Sequence, residues 1–436
     1  MKKLFCLLLC ALLLCGCVKH PSEAIQGEPV YLSDYTPVNR SAEPETDTER
    51  LAWRRQVAVE AMRRNMGVLW TPTEDITYCY SVNSTGYEND KEQFPDYVVT
   101  LKAGQIYQGL PYTHGCGSVD TMVSYATEKS DGGVYTLTGL RWEHFSGDGK
   151  NLQPWRARVG NDCADSVFWA WGHVANSITF VGTTTMTEKY GCIPVGEYKT
   201  VKLDYATHTN SLCANNGEQT MYEAYAQLQA ADGLVYSNGA GTGHAIMATK
   251  VNVVRNEDGT IDGTQSTVTI LEQATRAIKN NMNYYNEDIG QQVYLCQELD
   301  HDKTFNELFK TGYLPVTCKE LIDPAPLAKV EITDPVKDVT TDNLLTGEIT
   351  ATYRIAFVTA EITDADGKTV QKANCYGMAK EMYNFNLARF TNEIEQAVMQ
   401  GSINLDALAK GSYTATLTAH LATGDDVTFR SLTFTK

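Results

Sequence analysis

The chain has 436 residues, 43% hydrophobic and 20% charged, the balance of a folded globular protein with room for roughly two to three domains. Its formal net charge is −17 and becomes about −19 once a leader carrying Lys2 and Lys3 is removed, leaving 34 basic against 53 acidic residues. So acidic a chain is poorly suited to gripping nucleic acid or an anionic bilayer by charge, and the excess is read as a solubilising surface.

The first element is a leader over residues 1–16. Lys2 and Lys3 form its basic start, and residues 4–14 its apolar core, too short to span a bilayer as a mature helix. Leu14-Cys15-Gly16-Cys17 resembles the bacterial lipobox, in which a small residue precedes the cysteine that is diacylated before cleavage. The resemblance implies lipidation at Cys17, which follows Gly16, whereas Cys10 and Cys15 follow bulky leucines. An ordinary secretory leader cut nearby is the alternative. Either reading places the mature protein outside the cytoplasm, and a lipidated Cys17 anchors it to the outer face of the membrane.

Residues 17–45 are polar, acidic and aperiodic, the composition of a tether. Thr46 or Asp47 caps a helix expected over residues 47–66, with its arginines dispersed on the face away from the apolar stripe. A domain over residues 46–325 follows from mixed signals. Its clearest helix is expected over residues 163–178, where Val167, Trp171, Val174 and Ile178 share a face with Cys163. Trp169 and Trp171 are read as core packing. A second helix is expected over 219–229, and strands over 233–236, 245–254, 265–272 and 292–295. Asn256-Glu257-Asp258-Gly259 is a hairpin signal between two of them. Helix first and antiparallel sheet afterwards is an α+β pattern.

From residue 326 to 436 apolar and polar residues alternate, with Asp364-Ala365-Asp366-Gly367 as a turn. This texture resembles a small Ig-like β-sandwich, with residues 385–400 as a helical insertion.

Eight cysteines lie beyond the leader and its cleavage site: Cys79, Cys116, Cys163, Cys192, Cys213, Cys296, Cys318 and Cys375. They show neither CxxC nor Cys/His ligand spacing, no HExxH occurs, and His173, Asp204 and His208 lack ligand spacing, so neither structural zinc nor metal hydrolysis is expected. An exported compartment permits disulfides. If Cys163 is free, at least one more of the remaining seven is unpaired. The glycine-rich run 239–243 lacks a lysine and reads as a loop beside His244 rather than a phosphate cradle.

The chemistry concentrates in three blocks. Asn161-Asp162-Cys163-Ala164-Asp165-Ser166-Val167 puts a cysteine at the start of an apolar helix. Gly243-His244-Ala245-Ile246 opens a strand with a histidine, and Val268-Thr269-Ile270-Leu271-Glu272-Gln273 closes the next with a carboxylate. A thiol nucleophile needs such a set: a helix N-terminus and an imidazole favour the thiolate, and a polar group fixes the imidazole. Glu272 is the expected orienter, with Gln273 as the alternative.

These blocks resemble the NlpC/P60 and CHAP enzymes of the papain-like superfamily. The cysteine block is similar to Asp-Cys-Ser-Gly-Phe-Val, the histidine block to Gly-His-Val-Ala-Ile-Val, and the carboxylate block to the CHAP strand Val-Thr-Val-Leu-Glu-Gln-Asn. Tyr107-Gln108-Gly109-Leu110-Pro111-Tyr112 and the run 228–235 are similar to the family's approach segments, so the likeness covers residues 100–275 in short blocks. It implies a papain-like domain and a cysteine peptidase or amidase that cleaves peptidoglycan peptides through an acyl-enzyme, with no cofactor. Cys163 would be the nucleophile, His244 the base and Glu272 its orienter, with Tyr112 and Asp162 on the substrate side. Ala164, Asp165 and Ala274 stand where these families usually carry serine, glycine and asparagine. A binding protein on a degenerate papain-like fold and a transglutaminase-like acyl transferase are the other readings.

Overall fold

A computed structural model describes residues 43–79, 98–113, 118–119, 122, 126–137, 142–145, 152–157, 160–178, 191–200, 207–239, 243–377, 382–386, 397–400 and 403–436. The leader, Cys17, most of the tether, Cys116 and the side chain of Cys79 lie outside the described residues. The described residues form an α+β protein, and none of their helices is long and apolar enough to cross a membrane.

Helix α1 (Asp47–Gly67) opens at Thr46, whose hydroxyl accepts the Glu49 amide hydrogen at 3.4 Å, with Asp47 and Glu49 set against the positive helix end. Its arginines are not the solvated face that their dispersal suggested. Arg54 is fully buried and donates to the carbonyls of Glu320, Asp323 and Ala325. Arg55 reaches Asp232 Oδ1 at 2.8 Å and the Leu321 carbonyl at 2.9 Å. A guanidinium carries five donors in a fixed fork, so it satisfies several buried carbonyls that no apolar side chain could. The helix is thereby stitched to residues 320–325.

Helix α2 (Cys163–Gly172) packs on α1 and buries Val167, Trp171 and Ala170 completely. Its apolar stripe continues through buried Val174 as expected, but regular helix stops six residues short of 178. The Glu320 carboxylate causes the stop. It accepts the amide hydrogens of Asn176 and Ser177 at 3.1 and 2.9 Å and the Ser177 hydroxyl at 2.6 Å, drawing the chain out of the helical path.

Behind α2 stands a six-stranded antiparallel sheet of β1 (Cys192–Pro194), β2 (Gly233–Ser237), β3 (Gly243–Asn252), β4 (Thr267–Glu272), β5 (Glu298–Thr304) and β6 (Leu314–Cys318). Their order is β5-β4-β3-β2-β6-β1. Trp171 lies against β2, where a Cβ on Gly233 would approach its ring at 3.2 Å, so this position accepts little beyond glycine. The Asn256–Gly259 turn is present, closed by pairing of Arg255 with Ile261. Strands β3 and β4 end short of it because Asp258, Asp262 and Ser266 spend their side chains on loop groups. The helix expected over 219–229 is present as Glu218–Tyr225, ending four residues early, and a further eight-residue helix, Thr209–Asn216, precedes it.

A second six-stranded sheet, with both parallel and antiparallel pairs, includes Leu69–Pro72, Ile106–Gln108 and Gln291–Leu295. Beyond residue 330 a five-stranded and a three-stranded antiparallel sheet share one core, centred on Ile349, Val358, Ile362 and Leu417. Ser412–Leu421 alternates buried and half-buried residues along its length. Buried Arg430 ties this unit together through Asp334, at 2.5 and 2.8 Å, and the Thr346 carbonyl at 2.7 Å. The helix expected over 385–400 is contradicted at both ends. Met382–Asn386 pairs with Thr346–Ala351, and Ala397–Gln400 pairs with residues 374–377, so ladder hydrogen bonds override local helix propensity. Residues 387–396 lie outside the described residues.

Among the described cysteines, Cys163, Cys192, Cys213, Cys296 and Cys318 are free thiols. Cys192 and Cys318 stand opposite each other across β1 and β6 without being joined, and burial pushes the Cys192 thiol up to about 12.

Candidate active site

The site begins with two chain segments laid side by side. Gly109 donates to the Val68 carbonyl at 2.8 Å with φ of +85°, and a Cβ there would strike the Met66 carbonyl oxygen. Only glycine turns the chain so tightly at that point. The following residues run parallel to the lead-in of α2. Asn161 donates to the Pro111 carbonyl at 3.3 Å, and Thr113 donates to the Asn161 carbonyl at 3.0 Å. Tyr112 is thereby carried to the first turn of the helix.

Asp162 caps that helix, its carboxylate accepting the Asp165 amide hydrogen at 2.7 Å. This gives the residue a local structural task beside the substrate-side position expected of it. Cys163 is the first helical residue, 5% exposed, and its amide and that of Ala164 precede the intrahelical ladder. The Tyr112 hydroxyl lies 3.8 Å from Cys163 Sγ and donates toward it. Burial, with Cys163 and Asp162 nearby, holds the Tyr112 phenol well above its ordinary range, so it remains a donor.

The central sheet supplies the other side. His244, second residue of β3, interacts with the Cys163 thiol. Its Nε2 lies 3.4 Å from Glu272 Oε2. Burial alone would lower the imidazole pKa. Charge and hydrogen bonding at Cys163, and the same two effects from Glu272, outweigh it and raise the ring to about 10. The site therefore favours a positively charged His244 ring. Glu272 closes β4 just after a register shift between Ile270 and Glu272, the kind of irregularity that re-aims a strand-end side chain. Burial opposes its charge, yet the His244 hydrogen bond and charge, with Lys303 and His301, hold its carboxyl well below the usual range.

The structure thus brings Cys163, His244, Glu272 and Tyr112 together. It also separates the two candidates for orienting the ring. Glu272 faces His244, whereas buried Gln273 points to the other side of the strand. Its Nε2 donates to the carbonyls of Leu110 (2.9 Å), Pro111 (3.4 Å) and Asn161 (3.5 Å). Gln297 adds a second donor to the Leu110 carbonyl at 2.9 Å and accepts the Ala274 amide hydrogen at 2.7 Å. Gln273 thus bridges the Tyr112 segment and the lead-in of α2, and Gln297 ties the same segment to Ala274.

Four further residues belong to the site and were not anticipated. Lys303 Nζ lies 3.3 Å from Glu272 Oε2, and His301 Nε2 lies 3.7 Å from Oε1. Their spacing of two on β5 is the only sequence signal, and it means nothing until the strand register is known. Tyr236, paired with His244 across β2 and β3, stacks edge-on against Tyr313 at 5.0 Å. Burial raises both phenols, with Cys163 and Glu272 adding to it. Trp169 and Trp171 pack in the core, as their spacing suggested. Among the described residues, no three or more His, Cys, Asp or Glu side chains are grouped to hold a metal ion.

Compared with known proteins, the chain matches no family model and no curated protein.

Proposed function

We propose that this protein is an extracytoplasmic cysteine hydrolase that cleaves amide bonds through an acyl-enzyme. In this reading residues 46–325 form a papain-like domain of the NlpC/P60 or CHAP type, and residues 326–436 an Ig-like sandwich. A lipidated Cys17 anchors both to the membrane. The observation that carries the reading is the Cys163 thiol at a helix N-terminus, interacting with the His244 ring, whose Nε2 lies 3.4 Å from Glu272 Oε2.

Cys163 sulfur attacks the amide carbonyl carbon, forming a C–S bond and pushing the carbonyl electrons onto oxygen. Amides at the start of α2 lie where that oxyanion develops, and loss of one such donor costs about 2.7–4 kcal/mol in comparable sites. His244 gives its proton to the amine nitrogen, the C–N bond breaks, and a thioester on Cys163 remains. Water then attacks the thioester, His244 takes its proton, and the carboxylic acid leaves with the thiol regenerated. Glu272 keeps the ring oriented throughout, backed by Lys303.

Peptidoglycan peptides are the proposed substrate, on the resemblance of the three blocks to enzymes of that class. Digestion of purified sacculi, followed by mass spectrometry of the soluble fragments, tests this. Wild type should release new amine and carboxylate ends, and a folded Cys163→Ala variant should release none. Undiminished release by that variant refutes the reading.

A further inference from the structure

The outer stripe of the nucleophile helix is covered by the C-terminal β unit. Arg354, just before the strand Ile355–Asp364, donates from Nη1 to Asp165 Oδ1 at 2.9 Å and from Nη2 to Oδ2 at 3.3 Å. Its guanidinium also lies 5.4 Å from the Trp169 ring centroid. A Cβ on Gly172 would meet the Arg354 and Ala422 side chains at 3.6 and 3.7 Å, and Ala422 donates its amide hydrogen to the Arg354 carbonyl at 2.9 Å. Asp165, Trp169 and Gly172 follow the i, i+4, i+7 spacing of one helical face. The pair is largely buried, with side-chain exposures of 12% and 13%.

Asp165 sits in the first turn of α2, two residues after Cys163, where the resembling families carry glycine. Its carboxylate suits the helix dipole, and its charge, two residues along the chain, opposes negative charge at Cys163. A bidentate guanidinium cancels that opposition and fixes the helix face at the same time.

We infer that the C-terminal unit supplies Arg354 as a positioning residue for Cys163, so that thiolate formation in the N-terminal unit depends on the C-terminal one. The inference rests on the hydrolase reading. The charged and titratable groups that act with the thiol are Tyr112 from the adjoining segment, Tyr236 and His244 from β2 and β3, and Tyr313, with Asp162 at the helix cap and Glu272 beside His244; Asp165, two residues along the helix, is paired with Arg354 on the outer face. Of the charged side chains named here, Arg354 is the one that the C-terminal unit contributes.

The test is the rate of iodoacetamide capture at Cys163 against pH, read on the Cys163 peptide by mass spectrometry in the full chain. Arg354→Gln should raise the midpoint by about one pH unit, lowering capture near pH 6 about tenfold. Arg354→Lys should fall between the two. Asp165→Asn, which keeps the guanidinium, should move the midpoint down, so the test survives if Arg354→Gln folds poorly. The double variant should return close to wild type, which no purely structural loss would do. A depressed wild-type midpoint that neither Arg354→Gln nor Asp165→Asn moves overturns the inference alone. A wild-type midpoint no lower than that of an ordinary cysteine overturns the hydrolase reading and the inference with it.

Discussion

Lys303 Nζ lies 3.3 Å from Oε2 of Glu272, the same oxygen that faces His244 Nε2 at 3.4 Å. The carboxylate is therefore held from two sides, and its ability to orient the ring rests on an ammonium from the neighbouring strand. Lys303→Met should lower kcat by about threefold to tenfold at neutral pH and shift the acid limb of the rate profile upward. Steady-state rates across pH 4–9 check this. An unchanged acid limb removes Lys303 from the site.

The same couple sets a pH window for stability. The His244 pKa is raised to about 10 in the folded protein, so its contribution is complete below about 6.5 and is lost as pH climbs through 10. Glu272 is depressed, so its contribution is present above about 4.5 and is lost as pH falls below that. Thermal melts should show a plateau between these limits. His244→Ala should flatten the alkaline decline, and Glu272→Gln the acid one. Slopes identical to wild type in both variants contradict the pairing.

Gln273 should behave as a structural clamp and not as a ring orienter. Gln273→Ala leaves the Leu110, Pro111 and Asn161 carbonyls without this donor and should destabilise by about 1–3 kcal/mol. Urea unfolding measures the loss. The pH midpoint for Cys163 alkylation should stay where it is, because His244 keeps Glu272.

Asp162 separates capping from substrate contact. Asp162→Ala should cost about 1 kcal/mol of stability through the lost cap, while Asp162→Ser or Asp162→Asn should restore it. KM unchanged in the two capping variants assigns the residue to the helix; a large rise in KM in both returns it to the substrate side.

The parts of this site that were legible in the sequence are those written locally. A capped cysteine at the head of an apolar helix, a histidine at the mouth of a strand and a carboxylate at the end of the next each sit within six or seven consecutive residues. What was not legible depends on register. His301 and Lys303 reach Glu272 only because β5 pairs with β4 around a bulge, and Tyr236 meets His244 only through the β2–β3 ladder. The end of α2 was hidden for the same reason, since Glu320, more than 140 residues away, stops it. Strands of three or four residues, such as Ile106–Gln108, are too short to show alternation, so of the second sheet only the strand Gln291–Leu295 was legible in the pattern. The buried arginines of α1 read as solvated because their carbonyl partners come from residues 230 and 320–325.

The central claim is that sulfur at position 163 becomes bonded to the acyl half of the substrate. Acid-quenched mass spectrometry of wild type mixed with peptidoglycan peptides measures this bond directly. The expected result is a transient acyl mass on the Cys163 peptide that appears with the released amine and is absent from Cys163→Ala. Amide cleavage with no acyl group ever found on Cys163, or undiminished in the alanine variant, would contradict it.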